Sequence, residues 1–346
     1  MSVRRLYLDR GIGETRGVVT LDDRPERLLI RRDADEPRLR MGARVVGRVA
    51  SLEPTLATAF LDLGDGAEAI LPFRPDAKPV RGEALEVEIR SEPRRGKLAI
   101  ARRIAAAQGA PRLLGDLSDP AEDLRAYARD AELIEGAAAR AMAEEAEAEA
   151  LAVLHLLPGG GVLAVEPTRA LTAVDVDLGE RKGADAKRVT RQANLAALGL
   201  AARLLRLKGL GGIVVIDLVG RGHDGNALMA AARTAFAPDN PGVAIGPVGR
   251  FGTMELALPR RIQPIVERLC REDGGLSDLT LAHRLIRRLQ AEATAQPGAR
   301  LAVRCAPAVA KAAEPLAAQL AQLVGARFAI TPDPTAPRER LDVGAA

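Results

Sequence analysis

Residues 162–177, VLAVEPTRALTAVDVD, and residues 212–217, GIVVID, decide the fold of this chain. The first stretch contains two apolar runs separated by a turn, which predicts a β-hairpin. The second stretch is continuously apolar, which predicts a buried strand. Between them we expect a helix from about Asp185 to Gly209, because glycine commonly follows the last turn of a helix. Strands and a helix in this order predict a sheet covered by helices.

Upstream of this sheet, residues 41–103 consist of short apolar runs broken by Gly, Pro and Asp. Leu85, Val87 and Ile89 alternate with charged residues, which is the period of a half-exposed strand. Four or five such strands predict a small closed barrel. The residues up to 38 mix short apolar runs with charge and predict one or two further strands.

Two other segments are rich in helix formers. Asp119 is an N-cap candidate for a helical segment that continues toward residue 156. This segment carries an acidic cluster, formed by Glu144, Glu145, Glu147 and Glu149. The cluster could hold a metal ion, but we favour a solvated helix face, because acidic clusters are common on surface helices. Residues 276–341 alternate helical and strand patterns and predict a small α/β unit.

The composition excludes several classes of protein. The 346 residues are 47% hydrophobic and 28% charged, with 50 Lys and Arg against 46 Asp and Glu, which excludes a disordered or collagenous chain. No apolar run approaches the roughly 20 residues of a membrane span. The start of the chain, MSVRRLYLDRG, lacks the apolar stretch of a signal peptide. We therefore expect a cytoplasmic protein without a membrane span.

Cysteine and histidine are too scarce for a zinc cage or a disulfide framework, since the chain has two cysteines and three histidines. Any metal ion is therefore expected to be bound by carboxylates. The cations are nearly all arginine, whose planar guanidinium suits phosphate. A GC-rich genome explains the same bias, so composition permits a nucleic-acid partner without requiring one.

Three aspartates follow the strands that decide the fold. Asp175 and Asp177 share one face of their strand and lie about 7 Å apart on a surface otherwise expected to be buried, where unpaired charges call for a cation. Asp217 ends the GIVVID strand, the position at which open α/β sheets bind ligands. Carboxylates at neighbouring strand ends predict a Mg²⁺ site. The alternative is that Asp177 and Asp217 only begin turns.

The loops around these aspartates are basic. Cations beside a Mg²⁺ site are what a phosphodiester substrate requires, because both neutralise its oxygens. The basic side chains are Arg181, Lys182, Lys187, Arg188 and Arg191 after the first strand, Arg221 after the second, and Arg250 before Phe251. For Arg188 and Arg191 a solvated helix face is the alternative, and His223 is interpreted as a loop residue.

These motifs resemble the ribonuclease E/G endoribonucleases. The resemblance is densest in PGGGVLAVEPTRALTAVDVDLGE, TRQANLAALGLAARLLRLKGLGGIVVIDL and GRFGTMEL, which are similar to the metal-binding core of that family. GRVASLEPTLATAFLDLGDGAEAILPF resembles its embedded OB barrel, and residues 276–341 resemble its small C-terminal domain. About three quarters of the chain is covered.

The resemblance implies roles for individual residues. Asp175 and Asp217 match the aspartates that hold the catalytic Mg²⁺. Asp177 replaces an asparagine that orients the attacking group or the scissile phosphate, and it completes the predicted catalytic set. Phe60 matches an RNA-stacking aromatic residue. The predicted RNA-binding residues are Phe60, Arg95 and Lys97 on the barrel, and Arg181, Lys182, Arg188, Arg221, Arg250 and Phe251 on the core.

The chain also departs from the family pattern. Gly220 replaces a further aspartate, and Ile70 replaces the aromatic companion of Phe60. The family's zinc link needs a Cys-x-x-Cys pair, whereas only Cys270 lies near that place, so we expect no zinc and no zinc-linked tetramer. The segment that senses a 5′-monophosphate is replaced by about 50 mostly helical residues. The sequence leaves a homodimer open.

Together, the patterns and the resemblance predict a mixed α/β (α+β) multidomain protein with five parts. These are N-terminal strands packing on the core (1–38), an OB-fold RNA-binding barrel (39–103), a helical connector (104–156), an α/β metal-binding nuclease core (157–270) and a small α/β C-terminal domain (271–346). The expected function is Mg²⁺-dependent cleavage of single-stranded RNA in RNA processing or decay. The alternatives are an RNA-binding protein of the same family with weakened catalysis, and a phosphohydrolase of small molecules, which would not need the barrel.

Overall fold

Four sheets organise the chain in a computed structural model that describes residues 3–116, 118–180 and 185–345. The first sheet contains an antiparallel meander of three strands, β1 (Arg4–Gly11), β2 (Glu14–Leu21) and β3 (Arg24–Arg32). The sequence predicted one or two strands here. The third exists because Asp22 and Asp23 both adopt positive φ, which makes a tight hairpin turn between β2 and β3.

The second sheet closes into a barrel. Its strands are β4 (Arg44–Glu53), β5 (Thr58–Gly64), β6 (Ala67–Pro72), β7 (Ala84–Ser91) and β8 (Ala99–Ala106), and β9 (Arg112–Leu114) adds to its edge. Strand β4 pairs with both β5 and β7, and β8 joins β6 to β7, so five strands form a closed ring. Alternate residues such as Leu61, Val87 and Ile89 fill the interior. The predicted closed barrel is confirmed, and it is consistent with an OB-fold.

The segment after the barrel is not one continuous helix. It contains α1 (Pro120–Arg125), β10 (Leu133–Glu135) and α2 (Ala137–Leu151). Asp119 caps α1 as predicted, since its side chain accepts a hydrogen bond from the Ala121 amide at 2.8 Å. The helical pattern breaks because β10 pairs in parallel with β1, and this long-range pairing overrides local helix propensity.

The acidic cluster on α2 is divided between solvent and interior. Glu144 and Glu145 are exposed, as expected of a solvated face. Glu147 is only 3% exposed and accepts hydrogen bonds from Arg16 at 3.3 Å and from Arg284 at 2.6 Å. The prediction of a solvated face is therefore wrong for Glu147, because α2 packs against the first sheet and Arg284 reaches the carboxylate from a later helix.

The third sheet carries the predicted core. Its elements in chain order are β11 (Leu154–Leu156), β12 (Val162–Pro167), β13 (Thr172–Asp177), α3 (Ala186–Leu207), β14 (Gly212–Asp217), α4 (Gly225–Phe236), β15 (Ala244–Val248), β16 (Thr253–Leu258) and α5 (Ile265–Leu269). The strand order is β11-β12-β13-β14-β16-β15, with β13 and β14 parallel and the other pairs antiparallel. The predicted hairpin, helix and strand are present, and Gly209 has a φ of 66° just after α3.

Helices cover only one face of this sheet. Val174, Val214 and Ile216 are buried in the core, whereas Ile213 is 52% exposed. The apolar run GIVVID predicted a buried strand, but β14 alternates between buried and solvent-facing positions. One face of the sheet therefore remains open to solvent.

The fourth sheet forms a small unit at the end of the chain. Its elements are α6 (Asp278–Ala295), β17 (Leu301–Cys305), α7 (Pro307–Val324), β18 (Phe328–Pro332) and β19 (Val343–Ala345). Strand β17 is central, with β18 parallel and β19 antiparallel to it. The predicted α/β unit is present. Within the described ranges, no helix combines the length and the apolar character needed to cross a membrane.

Candidate active site

Asp175 and Asp217 lie side by side at one edge of the third sheet. The register of the parallel strands β13 and β14 places Asp175 directly opposite Asp217. Neighbouring strands are about 4.8 Å apart, so the two carboxylates project from adjacent positions. Both side chains are exposed, while Val174, Val176 and Ile216 face the core. The sequence placed both aspartates at strand ends, and the register makes them neighbours.

The electrostatic reason to expect a cation differs from the predicted one. Asp175 and Asp177 share a face as expected, but that face is open to solvent. The argument that burial forces neutralisation of these charges is therefore wrong. Like charges at directly opposite positions of a sheet are nonetheless destabilising. No described residue forms a hydrogen bond or ion pair with the side chain of Asp175 or Asp217, so this repulsion is not relieved within the described part of the chain.

This donor set fits a small hard cation. The described residues contain no group of three or more His, Cys, Asp or Glu side chains arranged to hold a metal. Mg²⁺ does not need such a group, because it is usually bound by one or two carboxylates and keeps several waters. Asp175 and Asp217 offer two adjacent, solvent-accessible carboxylates. They therefore meet the requirement for Mg²⁺, whereas a site made only of protein ligands would need more donors.

Asp177 occupies a different local environment. It lies two residues after Asp175 on the same face of β13. The neighbouring strand β14 ends at Asp217, opposite Asp175, so Asp177 extends beyond it. Its Oδ1 accepts a hydrogen bond from the Gly179 amide at 2.8 Å, which is a turn formed by the aspartate side chain. Asp177 thus begins a turn, and its predicted place in the catalytic set stays a prediction.

A hairpin loop brings Arg250 and Phe251 to the same edge. Thr253, the first residue of β16, pairs with Asp217, and the Leu218 amide donates a hydrogen bond to the Gly252 carbonyl at 3.1 Å. The Arg250 guanidinium lies over the Phe251 ring, 4.6 Å from its centroid, and the Phe251 side chain is 77% exposed. A cation and an aromatic face therefore lie beside the carboxylates.

The loops after β13 and β14 supply further polar groups. Arg188 and Arg221 are exposed, and Arg188 lies in the first turn of α3. Arg191 pairs with Asp224 at 3.5 Å and so links the start of α3 to the start of α4. The predicted residues Arg181 and Lys182 lie outside the described residues.

His223 lies in the loop between β14 and α4, as predicted. Its Nε2 is buried without a hydrogen-bond partner, and its ring lies against Gly252. Gly252 has a φ of 88°, a conformation that favours glycine. Because glycine has no side chain, the His223 ring can pack closely against the loop that carries Arg250. The sequence contained no signal for this contact beyond the position of His223 after β14.

The predicted barrel residues are not all near the carboxylates. Phe60 is 38% exposed on the outer surface of β5, opposite Ile70 on β6. The Arg95 amide donates to Glu267 at 2.7 Å, and its guanidinium donates to the Cys270 carbonyl at 3.1 Å. This contact connects the barrel to the core rather than leaving Arg95 free.

The turn that carries Arg95 and Lys97 docks at the opposite end of the sheet. It contacts residues that follow β16, and the last residue of β16, Leu258, pairs with Gly212 at the start of β14. Five residue steps along β16, about 17 Å, separate Leu258 from Thr253, the residue that pairs with Asp217. Arg95 therefore contacts the chain beyond the end of β16 that lies away from Asp217.

Comparison with known proteins agrees with the motifs at this edge. Residues 110–261 match the Ribonuclease E/G family. Ribonuclease E of Haemophilus influenzae is 35% identical over 107 residues, which is 30% of this chain and 11% of that protein. Ribonuclease E of Escherichia coli is 34% identical over 107 residues, covering 30% of this chain and 10% of that protein. The chloroplastic Ribonuclease E/G-like protein of Arabidopsis thaliana is 31% identical over 115 residues, covering 32% and 11%.

The similarity covers a defined part of the chain. The matched residues 110–261 include Asp175, Asp217 and Arg250, and they exclude the barrel residue Phe60. The predicted resemblance to ribonucleases E and G is confirmed for this segment. The aligned region amounts to about a tenth of the length of the Haemophilus and Escherichia relatives, 11% and 10% respectively.

Proposed function

We propose that this chain is an endoribonuclease that cleaves single-stranded RNA with a Mg²⁺ ion held by Asp175 and Asp217. The similarity of residues 110–261 to the Ribonuclease E/G family supports the class of reaction. The observation that carries the proposal for the site is the register of β13 and β14, which sets the two carboxylates side by side on an open face. Both carboxylates are exposed there.

The side chains at this edge have separate tasks in the proposed reaction. Bound Mg²⁺ would supply an activated water and neutralise charge on the phosphate. Asp175 and Asp217 would hold the ion through carboxylate oxygens. Arg250 donates hydrogen bonds to phosphate oxygens, and its partner ring Phe251 offers a stacking surface for a base.

The exposed aromatic rings support a preference for single strands. Phe251 at the carboxylate edge and Phe60 on the barrel expose 77% and 38% of their surfaces. Stacking on such rings requires bases that are not already paired and stacked in a helix. Unpaired RNA can present a base to Phe251 while its backbone lies across Arg250.

A second candidate function is RNA binding with weakened catalysis. The position of Gly220 favours it, because the family carries an aspartate there. Gly220 has a φ of 90°, and a Cβ at this residue would lie 2.6 Å from a methyl group of Thr190. An aspartate would be strained in this backbone, so the loop after β14 is built without that carboxylate. Asp177, in place of an asparagine, adds negative charge near the phosphate path.

The two functions are separated by a cleavage assay on the full chain. A labelled single-stranded RNA is incubated with the protein in Mg²⁺ and in EDTA, beside Asp175→Asn, Asp217→Asn and the control Glu255→Gln. Glu255 is an exposed carboxylate of β16 on the same sheet. We expect cleavage that EDTA stops, a fall of at least about 100-fold in each aspartate variant, and no change in the control.

Each other outcome has a definite meaning. Undiminished cleavage by Asp175→Asn or Asp217→Asn would refute the proposed site. RNA binding without cleavage in Mg²⁺ or Mn²⁺ would establish the second candidate function instead. A duplex of the same sequence cleaved as fast as the single strand would refute the proposed preference.

A further inference from the structure

A cavity of about 480 Å³ lies where the first sheet, the barrel and the core meet. Its walls come from β3, the residues just before β4, the region of α1 and the end of α3. Leu258 also lines it, and Leu258 pairs with Gly212 at the end of β14 opposite Asp217. The cavity is therefore separate from the candidate active site. Its volume lies in the range of pockets for small ligands, about 300–1,000 Å³.

Much of the wall is apolar. The apolar side chains include Leu28, Met41, Leu114, Leu205, Leu210 and Ile262. Tyr127 adds an aromatic ring, which the guanidinium of Arg27 covers at 3.8 Å from the ring centroid. These surfaces favour a ligand with an apolar body over a small hydrated ion.

Most of the arginines that line the cavity already have partners. Arg31 pairs with Glu92 at 2.6 Å, and Arg206 with Asp239 at 2.8 Å. The further pairs are Arg27 with Asp239 at 3.4 Å, Arg44 with Glu86, and Arg261 with the Asp239 carbonyl at 3.1 Å. These contacts account for five guanidinium groups within the protein.

Arg40 differs from the other five arginines. Its guanidinium forms no hydrogen bond or ion pair with any described residue, and its Nε is buried. Burial and the neighbouring charge of Arg31 lower the pKa of Arg40, while Asp123, Asp35 and Glu92 act in the opposite direction. Arg40 is half-buried, and a guanidinium that lacks a partner beside apolar walls can form charge-assisted hydrogen bonds with an anion.

Besides Arg40 Nε, three polar atoms of the described lining residues are buried without hydrogen-bond partners, and Arg206 Nε is one of them. Arg31 Nε and Asp123 Oδ2 are buried without hydrogen bonds, although Arg31 and Asp123 approach each other at 4.0 Å. Burial raises the pKa of Asp123. The walls thus offer donors for an anion at Arg40 and Arg31, together with an acceptor at Asp123 for an N–H or O–H group.

We infer that this cavity binds a small organic anion. Its anionic group, a carboxylate or a phosphate monoester, contacts Arg40. The rest of the ligand is a flat apolar body with an N–H or O–H group that donates a hydrogen bond to Asp123. Nucleoside monophosphates and aromatic amino-carboxylates both have this chemistry. A bound ligand would touch the first sheet, the barrel and the core together, so it would stabilise their arrangement against unfolding.

The test uses thermal unfolding and calorimetric titration of the full chain. The probes are adenosine monophosphate, 6-amino-2-naphthoate, adenosine and inorganic phosphate. We expect one of the two organic anions to raise the Tm and to bind, with adenosine and phosphate at least about tenfold weaker. The organic anion that binds more tightly shows whether the cavity prefers a phosphate monoester or a carboxylate.

Three variants locate the bound probe. Arg40→Met should weaken binding by about 10- to 100-fold, the value of one or two charge-assisted hydrogen bonds. Arg44→Met is the matched control, because Arg44 lines the same cavity but already pairs with Glu86, and it should change affinity less than about threefold. Ala126→Trp, at an exposed wall position, should block binding while leaving the Tm of the free protein unchanged.

The proposal fails on any of three results. If neither organic anion raises the Tm or binds, the cavity is not a site for this chemistry. If Arg40→Met keeps the affinity of the unchanged protein, the anion lies elsewhere. If inorganic phosphate binds as tightly as the organic anions, the apolar walls take no part. None of these results depends on RNA cleavage.

Discussion

Replacing Glu147 by glutamine should destabilise the protein strongly, because this carboxylate neutralises the buried Arg16 and the half-buried Arg284, which come from distant parts of the chain. Glu147 is 3% exposed and accepts hydrogen bonds from Arg16 and Arg284. After the change, Arg284 has no carboxylate partner among the described residues, and Arg16 keeps Asp9 at 2.5 Å. Removing one partner of a buried ion pair costs about 3–5 kcal/mol, so we expect a loss of unfolding free energy in that range.

The measurement is urea unfolding followed by far-ultraviolet circular dichroism. The control is Glu144→Gln on the exposed face of the same helix, where the change should stay within about 0.5 kcal/mol. The double variant Glu147→Met with Arg284→Met should recover part of the loss, because apolar residues can replace a buried pair at little cost. Equal losses of unfolding free energy for Glu147→Gln and Glu144→Gln would refute the stabilising role assigned to the Glu147 carboxylate.

Four other predictions concern acid stability and the reaction. Burial lowers the pKa of His283 to about 4. Because the unfolded chain then binds the proton first, the unfolding free energy should fall as the pH drops from 6.5 toward 4, and His283→Gln should remove that part of the dependence in urea titrations. Burial tends to raise the pKa of Glu14, but Arg287 and Arg32 lower it to about 2. Because the unfolded chain takes up this proton first, the unfolding free energy should fall a second time between pH 4.5 and 2, and this fall should remain in the His283→Gln variant. Asp177→Asn should retain or raise RNA cleavage, since it relieves repulsion toward phosphate, and a loss as large as that of Asp175→Asn would make Asp177 a metal ligand. Initial cleavage rates on one RNA with 5′-hydroxyl, monophosphate or triphosphate ends should be nearly equal, because the charged side chains of residues 118–156 are mostly acidic and repel a terminal phosphate, and a strong monophosphate preference would contradict this.

Local patterns predicted much of the core correctly. The hairpin of β12 and β13, the extent of α3 and the shared face of Asp175 and Asp177 all follow from repeats of two or 3.6 residues. Such repeats depend only on neighbours in the chain. The closed barrel was predicted in the same way, from the number and spacing of short strands.

Where long-range contacts decide, the same patterns were insufficient. The helical segment after Asp119 is interrupted because β10 pairs with β1, and Glu147 is buried because α2 meets Arg16 and Arg284. Both outcomes join residues more than 100 positions apart in the chain. No local pattern distinguishes a glutamate that meets buried arginines from one that faces water.

By itself, the sequence determined which residues could form the candidate site, because Asp175 and Asp217 both stand at the ends of apolar strands. Only the tertiary structure decided that they are neighbours and that their face is open. The reason is physical: a shift of one residue in the pairing of β13 and β14 would turn one carboxylate to the other face of the sheet. That register is set by packing of the opposite face against α3, and it is encoded in the whole core rather than in either strand.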